Sequence, residues 1–311
     1  MVTKALIPDE KELTVTIGRK RVHLTNLDKV YWPEKGYTKG DLLRYYASIA
    51  EYLIPHVKDR AMVMKRYPGG IHSEFFFMKH APASRPEWLN ICNIKHSSGK
   101  TIDFPIVDDL ASLLWVVNLG CIDLNQWYSR CDDVDRPDYL HFDLDPGTAP
   151  FSQVRESALL VRDGLLGLKM PVYAKTSGSK GIHIYVPIVR GPLQKEVWSF
   201  AHDFAHALAK LEPDIVTSEF RKEKRTEKRV LIDYNQNRWG STLASVYSVR
   251  PTELASVSAP VAWREIEKGC KIEDFRIDNM LKRIEKIGEL WAPLLKKTGR
   301  FNLSALVSAK H

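Results

Sequence analysis

The chain is poor in cysteine. Only Cys92, Cys121, Cys131 and Cys270 occur among 311 residues, and no two form a C-x-x-C pair. This argues against a disulfide framework and fits a reducing cytoplasm. No apolar run approaches the roughly 18 residues of a membrane span, and no secretory leader is visible. The expectation is therefore a cytoplasmic protein with no membrane partner. Internal repeats and low-complexity tracts are lacking, which argues against a solenoid. There is also no G-x-x-x-x-G-K-[ST] string, so any phosphate site is not a Walker A loop.

What is present is a hydrophobic content of 44%, enough for a large core in one extended domain or two closely joined lobes. Net charge is +8 with pI about 9.1, which favours a polyanionic partner bound in a salt-dependent manner. The densest run, Arg221 to Arg229, sets six basic residues against two acidic ones. Such a run is ordinarily a solvated loop, but its place just before Asp233 makes nucleic-acid contact the sharper reading.

Three strings carry chemistry. In His141-Phe142-Asp143-Leu144-Asp145-Pro146-Gly147 the strand period puts Asp143 and Asp145 on one face. Two adjacent carboxylates need a cation, and hard oxygen ligands favour Mg²⁺ or Mn²⁺. Asp233, in the strand-like Val230-Leu231-Ile232-Asp233, is a candidate third ligand. Two ions held by three carboxylates suit activation of a 3′-hydroxyl and stabilisation of a leaving pyrophosphate. The plain alternative is a strand-ending turn. Between two further strand-like runs lies Lys175-Thr176-Ser177-Gly178-Ser179-Lys180-Gly181, whose hydroxyls, exposed N–H groups, ammonium and glycines form a candidate anion nest for a triphosphate. His183 shares a strand face with Tyr185 and is placed to reach the same phosphates. A Ser/Gly loop by itself is more often a simple hairpin turn.

Other readings compete. His202-Asp203-Phe204-Ala205-His206 spaces two histidines as in a zinc protease, but Asp replaces Glu and no third-ligand motif follows. A haloacid-dehalogenase-like phosphatase would use Asp143 as nucleophile and Asp145 as general acid, yet Gly147 stands where that motif wants Thr or Val. A catalytically silent nucleic-acid-binding module is the third alternative; an unneutralised acidic cluster would repel DNA.

Periodicity and turn residues predict a hairpin over Thr14–Leu24 turning at Gly18 and a helix Gly40–Tyr52 capped by Thr38. A helix after Pro150 running through Leu165, a hairpin around the Ser/Gly loop and a helix Val197–Leu211 should follow. Strands are expected near 229–234 and 243–249, then a terminal amphipathic helix within Arg276–Leu295. Strands and helices interleave without regular βαβ units, so the expected class is α+β with mixed or antiparallel sheets.

The strings Asp143-Leu144-Asp145-Pro146-Gly147, Lys175 to His183, Asp233-Tyr234-Asn235-Gln236-Asn237 and Tyr247-Ser248-Val249-Arg250-Pro251 together resemble the polymerase domain of bacterial ligase D, within the archaeo-eukaryotic primase superfamily. The resemblance runs from Leu24 to Pro293. It implies a primase-polymerase fold with an RRM-like catalytic core, a single domain over 1–311 with an N-terminal lobe of about 1–110 making DNA-end contacts, and a catalytic core of about 111–311. It also implies metal-dependent, template-directed addition of nucleotides, ribonucleotides preferred, to a 3′-hydroxyl at gaps or breaks. By position, Asp143, Asp145 and Asp233 become the ligands of two divalent ions, Mn or Mg. Lys65, Ser177, Ser179, Lys180, Gly181, His183, Gln236 and Arg250 fall around the triphosphate. Lys29 and Lys39 match lysines for a downstream 5′-phosphate; the bland view leaves both as solvated surface residues. Phe76 and Phe77 match template-stacking phenylalanines, although core packing is an even alternative for Phe75-Phe76-Phe77. Asn125 stands where the family commonly has His, which removes any charge-changing role there. The implied partners are DNA carrying a gap or break, nucleoside triphosphates, a separate DNA ligase and a Ku-type end-binding protein. The chain is read as stand-alone and mainly monomeric, with pairing of two copies across a break as the alternative.

Overall fold

In the computed structural model, which describes residues 6–96, 98–225 and 227–307, the chain forms two units. The first comprises the chain up to Trp127 with Ala244–Ser258 and Phe275–Gly288; the second comprises Tyr128–Leu243, Ala259–Asp274 and the chain from Glu289.

In the first unit, Gly18 at φ 60° turns the antiparallel hairpin β1 (Leu13–Ile17) and β2 (Lys20–Leu24). Helix α1 (Lys39–Val57) begins at Thr38, whose hydroxyl accepts from Asp41 N while the Asp41 carboxylate accepts from Thr38 N. This reciprocal cap satisfies two otherwise orphaned donors. The helix runs past the expected end at Tyr52 and through Pro55. Leu53 and Val57 are wholly buried, so packing offsets the hydrogen bond that Pro55 does not make. The sheet places β3 (Met62–Arg66) between β4 (Phe76–Met78) and β7 (Cys121–Trp127). A separate hairpin, β5 (Ile91–Lys95) with β6 (Thr101–Pro105), and helix α2 (Leu110–Asn118), packed on α1, complete the unit.

The second unit is built on β8 (Tyr139–Asp145), α3 (Phe151–Gly167), β9 (Tyr173–Thr176), β10 (Ile182–Pro187), α4 (Gln194–Leu211), β11 (Val216–Thr217), β12 (Val230–Asp233) and β13 (Pro260–Val261). Spatial order is β11-β12-β8-β10-β9-β13, antiparallel except for the β11/β12 pair. Its central four strands follow the order fourth, first, third, second, with helices after the first and third. This is the βαββαβ arrangement of RRM-like cores, so the α+β expectation holds. Helices α3 and α4 cover one face, where Phe142 meets Phe204 at a ring separation of 5.2 Å. The opposite face carries the acidic and histidine side chains together with Tyr139 and Tyr185, whose ring centroids lie 5.8 Å apart.

Several local expectations are corrected. The terminal helix is only Met280–Ile287, because Gly288 at φ 80° ends it and a 3₁₀ turn follows at Ala292–Leu295. The strand expected over 243–249 is limited to Thr242–Ala244, since Tyr247 at φ 62° leaves the extended region. Cys121 and Cys270 are free thiols, whereas Cys92 and Cys131 are disulfide-bonded, a departure from the reducing setting that the cysteine pattern suggested, although not a disulfide framework. Sequence spacing reveals local pairs only; tertiary geometry decides the rest. No helix among the described residues is long and apolar enough to cross a membrane.

Candidate functional site

The acidic site arises from strand register. Asp143 of β8 pairs directly with Asp233 of β12, and Asp145 follows Asp143 on the same face. Between them Phe142 and Leu144 are fully buried beneath the helices, which fixes the carboxylates on the other side. Each carboxylate has its own support. Asp143 Oδ1 lies 3.4 Å from His183 Nε2, and Asp145 Oδ2 lies 3.6 Å from Arg225 Nη1. Asp233 accepts from Asn235 N at 2.8 Å and from Gln236 Nε2 at 2.8 Å. Burial, with the nearby Asp145 charge adding to it, pushes the Asp233 carboxyl above its ordinary value despite those donors. A site that resists its own negative charge in this way fits a cation. On the same face His141 is wholly buried against Tyr128, ring centroids 3.5 Å apart, and burial lowers it to about 3, so it remains neutral.

The Ser/Gly loop joins β9 to β10, as expected, but its hydrogen bonds are partly internal. Ser177 Oγ accepts from Ser179 N at 3.1 Å and Gly181 N at 2.9 Å. Those two N–H groups are therefore not exposed donors, as the anion-nest reading had them. Ser177 keeps its own hydroxyl hydrogen to donate, and the Lys180 ammonium is exposed. Gly181 lies against β8, where any Cβ would collide with the Leu144 carbonyl. Gln236, expected at the nucleotide, is engaged with Asp233.

In the first unit a cavity of about 250 Å³ contains Asn26, Lys29, Lys39, Arg66 and Asn118, with no carboxylate in its lining. Lys39 is 4% exposed and donates to Thr25 O at 2.7 Å, so it is no solvated surface lysine; Lys29 is exposed and donates to Pro68 O at 2.7 Å. Burial, reinforced by the Lys29 and Arg66 charges, lowers Lys39 to about 8. Three cations around one hollow make it electrostatically favourable for an anion. Arg66 escaped the sequence reading; its position beside Lys65 was the available signal.

Phe75, Phe76 and Phe77 are all about half exposed, at 50%, 45% and 58%, which decides against core packing. Lys65 Nζ sits 3.9 Å from the Phe75 centroid, and Arg66 lies 5.0 Å from that of Phe76. Lys65 also senses Asp123 and Arg250; burial is the larger influence and lowers its ammonium. Asp123, 1% exposed, lies 3.5 Å from Arg250 Nε and accepts from Asn125 Nδ2. It thereby orients Arg250, a role for which the sequence carried no signal. Among the described residues, Glu34, His72 and Glu253 also bring ligand atoms within 4.8 Å of one another, all on exposed side chains. His202 and His206 stack at 4.0 Å on α4, and the described residues add no third ligand.

The strand order and the paired carboxylates define a primase-type nucleotidyltransferase. Residues 38–291 match the LigD primase-polymerase domain. The multifunctional non-homologous end joining protein LigD of Mycolicibacterium smegmatis is 36% identical over 278 residues, covering 88% of this chain and 36% of that protein. The bifunctional LigD of Bacillus subtilis is 30% identical, covering 86% and 43%. The polymerase domain from Mycobacterium tuberculosis ligase D, solved in complex with DNA, aligns with a TM-score of 0.83 at 32% identity, covering 88% of this chain and 98% of that one. The chain belongs to the LigD primase-polymerase family, whose members are metal-dependent. Membership sets aside the phosphatase alternative. The chain spans well under half the length of these LigD proteins.

Proposed function

We propose that this chain extends a 3′-hydroxyl at a DNA gap or break, directed by the template strand and anchored by the 5′-phosphate beyond the gap. The observation that carries this reading is the Asp143–Asp233 strand pair with Asp145 beside it, on the open face of the sheet. These three carboxylates would hold two divalent ions, Mg²⁺ or Mn²⁺. Such ions neutralise the triphosphate and stabilise the attacking and leaving oxygens.

The chain's own residues do the rest. Ser177 and Lys180 offer a hydroxyl and an ammonium to the phosphates, with His183 alongside; Ser179 and Gly181 keep the loop in shape. Gln236 steadies Asp233 within the nucleotide site. Lys65 and Arg250 are proposed as further triphosphate contacts. The pocket of Lys29, Lys39 and Arg66 takes the 5′-phosphate, and Phe76 and Phe77 supply aromatic faces on which template bases stack without sequence preference. This divides the labour between DNA-end contacts from about 1–110 and catalysis from about 111–311. Ribonucleotide preference, a cytoplasmic setting, a mainly monomeric state, and cooperation with a DNA ligase and a Ku-type end-binding protein belong to the same proposal.

The test is extension of a primer in a gapped duplex, with Mn²⁺ or Mg²⁺ and either ribo- or deoxyribonucleotides. Templated addition, faster with a 5′-phosphate on the gap, is expected. DNA binding with no addition under any of these conditions would leave the silent binding module.

A further inference from the structure

One buried cation beside the acidic site has no part in the scheme above. Lys175 of β9 pairs with His183 of β10, His183 with Asp143 of β8, and Asp143 with Asp233 of β12. Directly opposed residues in antiparallel strands present their side chains to one face. An ammonium, an imidazole and two carboxylates therefore stand in a row across four strands. Lys175 is 0% exposed. A buried ammonium is costly unless neighbouring groups compensate it, so its retention at this position calls for a reason.

The contacts supply one. Lys175 Nζ lies 2.7 Å from His183 Nδ1, and the Tyr185 ring centroid is 5.9 Å from the same atom. The other imidazole nitrogen, Nε2, lies 3.4 Å from Asp143 Oδ1. An ammonium has three N–H donors and no acceptor, so Nδ1 must present its lone pair. In a neutral imidazole the hydrogen then resides on Nε2, because the bond made by one nitrogen sets the state of the other. The reverse arrangement, Nδ1–H donating to a neutral amine, would turn the Nε2 lone pair against a carboxylate that can only accept.

We propose that Lys175 is a positioning residue for nucleotidyl transfer: it holds His183 as the Nε2–H tautomer, so that the imidazole meets Asp143 and an arriving triphosphate as a hydrogen-bond donor. The triphosphate part rests on the polymerase reading; the tautomer does not. Lys175 acts through His183 and need not touch the nucleotide.

The test combines long-range ¹H–¹⁵N imidazole spectra of the full chain with nucleotide kinetics. In the wild type, His183 should show a protonated Nε2 and an unprotonated Nδ1. Lys175→Met removes the donor and should allow the other tautomer; Lys175→Gln keeps a donor without the charge and should restore the wild-type pattern. In the same order, KM for the nucleotide should rise about tenfold, the size expected for one lost bond to a charged group, and then recover. Should Lys175→Met fail to fold, the wild-type spectrum and Lys175→Gln still decide. A protonated Nδ1 in the wild type, or a Lys175→Met spectrum and KM identical to wild type, overturns the proposal. Absence of templated extension alongside the expected tautomer would instead defeat the polymerase reading and leave the tautomer lock intact.

Discussion

Asp143 and Asp233 are 90 positions apart in the chain and directly opposed across two antiparallel strands. Their pairing converts two separate acidic strings into one cation-binding face, and Asp145 joins them through the two-residue strand period. Replacing Asp145 with alanine should leave the fold and DNA affinity in place, because the side chain is half exposed and its ion pair with Arg225 is long, at 3.6 Å. Nucleotide addition should fall at least about a thousandfold, as expected when several kcal/mol of metal-based stabilisation are lost. Primer extension beside a DNA-binding isotherm checks both halves, and near-normal turnover would refute the metal assignment.

The lysine pocket makes a charge-linked prediction. Lys29→Ala should reduce the preference for a 5′-phosphorylated gap about tenfold, the scale of a charge-assisted hydrogen bond. Lys39 titrates at about 8 rather than 10.5, so the wild-type preference should fade as pH rises through about 8. Comparing phosphorylated and unphosphorylated gaps across pH checks this; a flat ratio would remove Lys39 from the site.

The same depressed value bears on stability, and the sign is definite. Between about 8 and 10.5 the unfolded chain binds more protons at Lys39 than the folded one, so this group makes stability rise with pH across that window, its cost being fully present below about 8. Lys39→Met should therefore melt no lower than wild type near neutral pH while losing the phosphate preference. Thermal melts at several pH values test it.

Phe76→Ala and Phe77→Ala remove exposed rings, so folding stability should change by no more than about 0.5 kcal/mol. Affinity for template-bearing DNA should drop by about 1–3 kcal/mol per ring, independent of base sequence. Equal affinity for wild type and the double variant would leave the patch without a nucleic-acid role.

Gly181→Ala tests the loop. A Cβ there runs into the Leu144 carbonyl, which is backbone and cannot swing away. The variant should lose about 1–3 kcal/mol of stability by overpacking and weaken nucleotide binding through the displaced Ser177 hydroxyl. Wild-type melting and KM together would contradict this packing.

Much of this protein was legible beforehand because the signals were local. Thr38 announced a helix start, Gly18 a hairpin turn, and the alternation Phe142-Asp143-Leu144-Asp145 a strand with one acidic face. Local signals misjudged helix α1 at Pro55, where burial of Leu53 and Val57 outweighed a lost hydrogen bond, and overextended the last helix past Gly288. Roles that depend on a distant partner stayed hidden: Asp123 under Arg250 and Arg66 beside Lys39.

The amino-acid order alone determined the α+β class, the three acidic positions, the Ser/Gly loop and the family, because strand period, caps and short motifs are written in neighbouring residues. Only the tertiary structure decided that Asp233 stands opposite Asp143, that Lys39 is buried among cations, that three phenylalanines face outward and that Lys175 reaches His183. Most of these are relations between strands and helices far apart in the chain, and even for Lys175 and His183, on neighbouring hairpin strands, register and packing rather than a local pattern decide the contact.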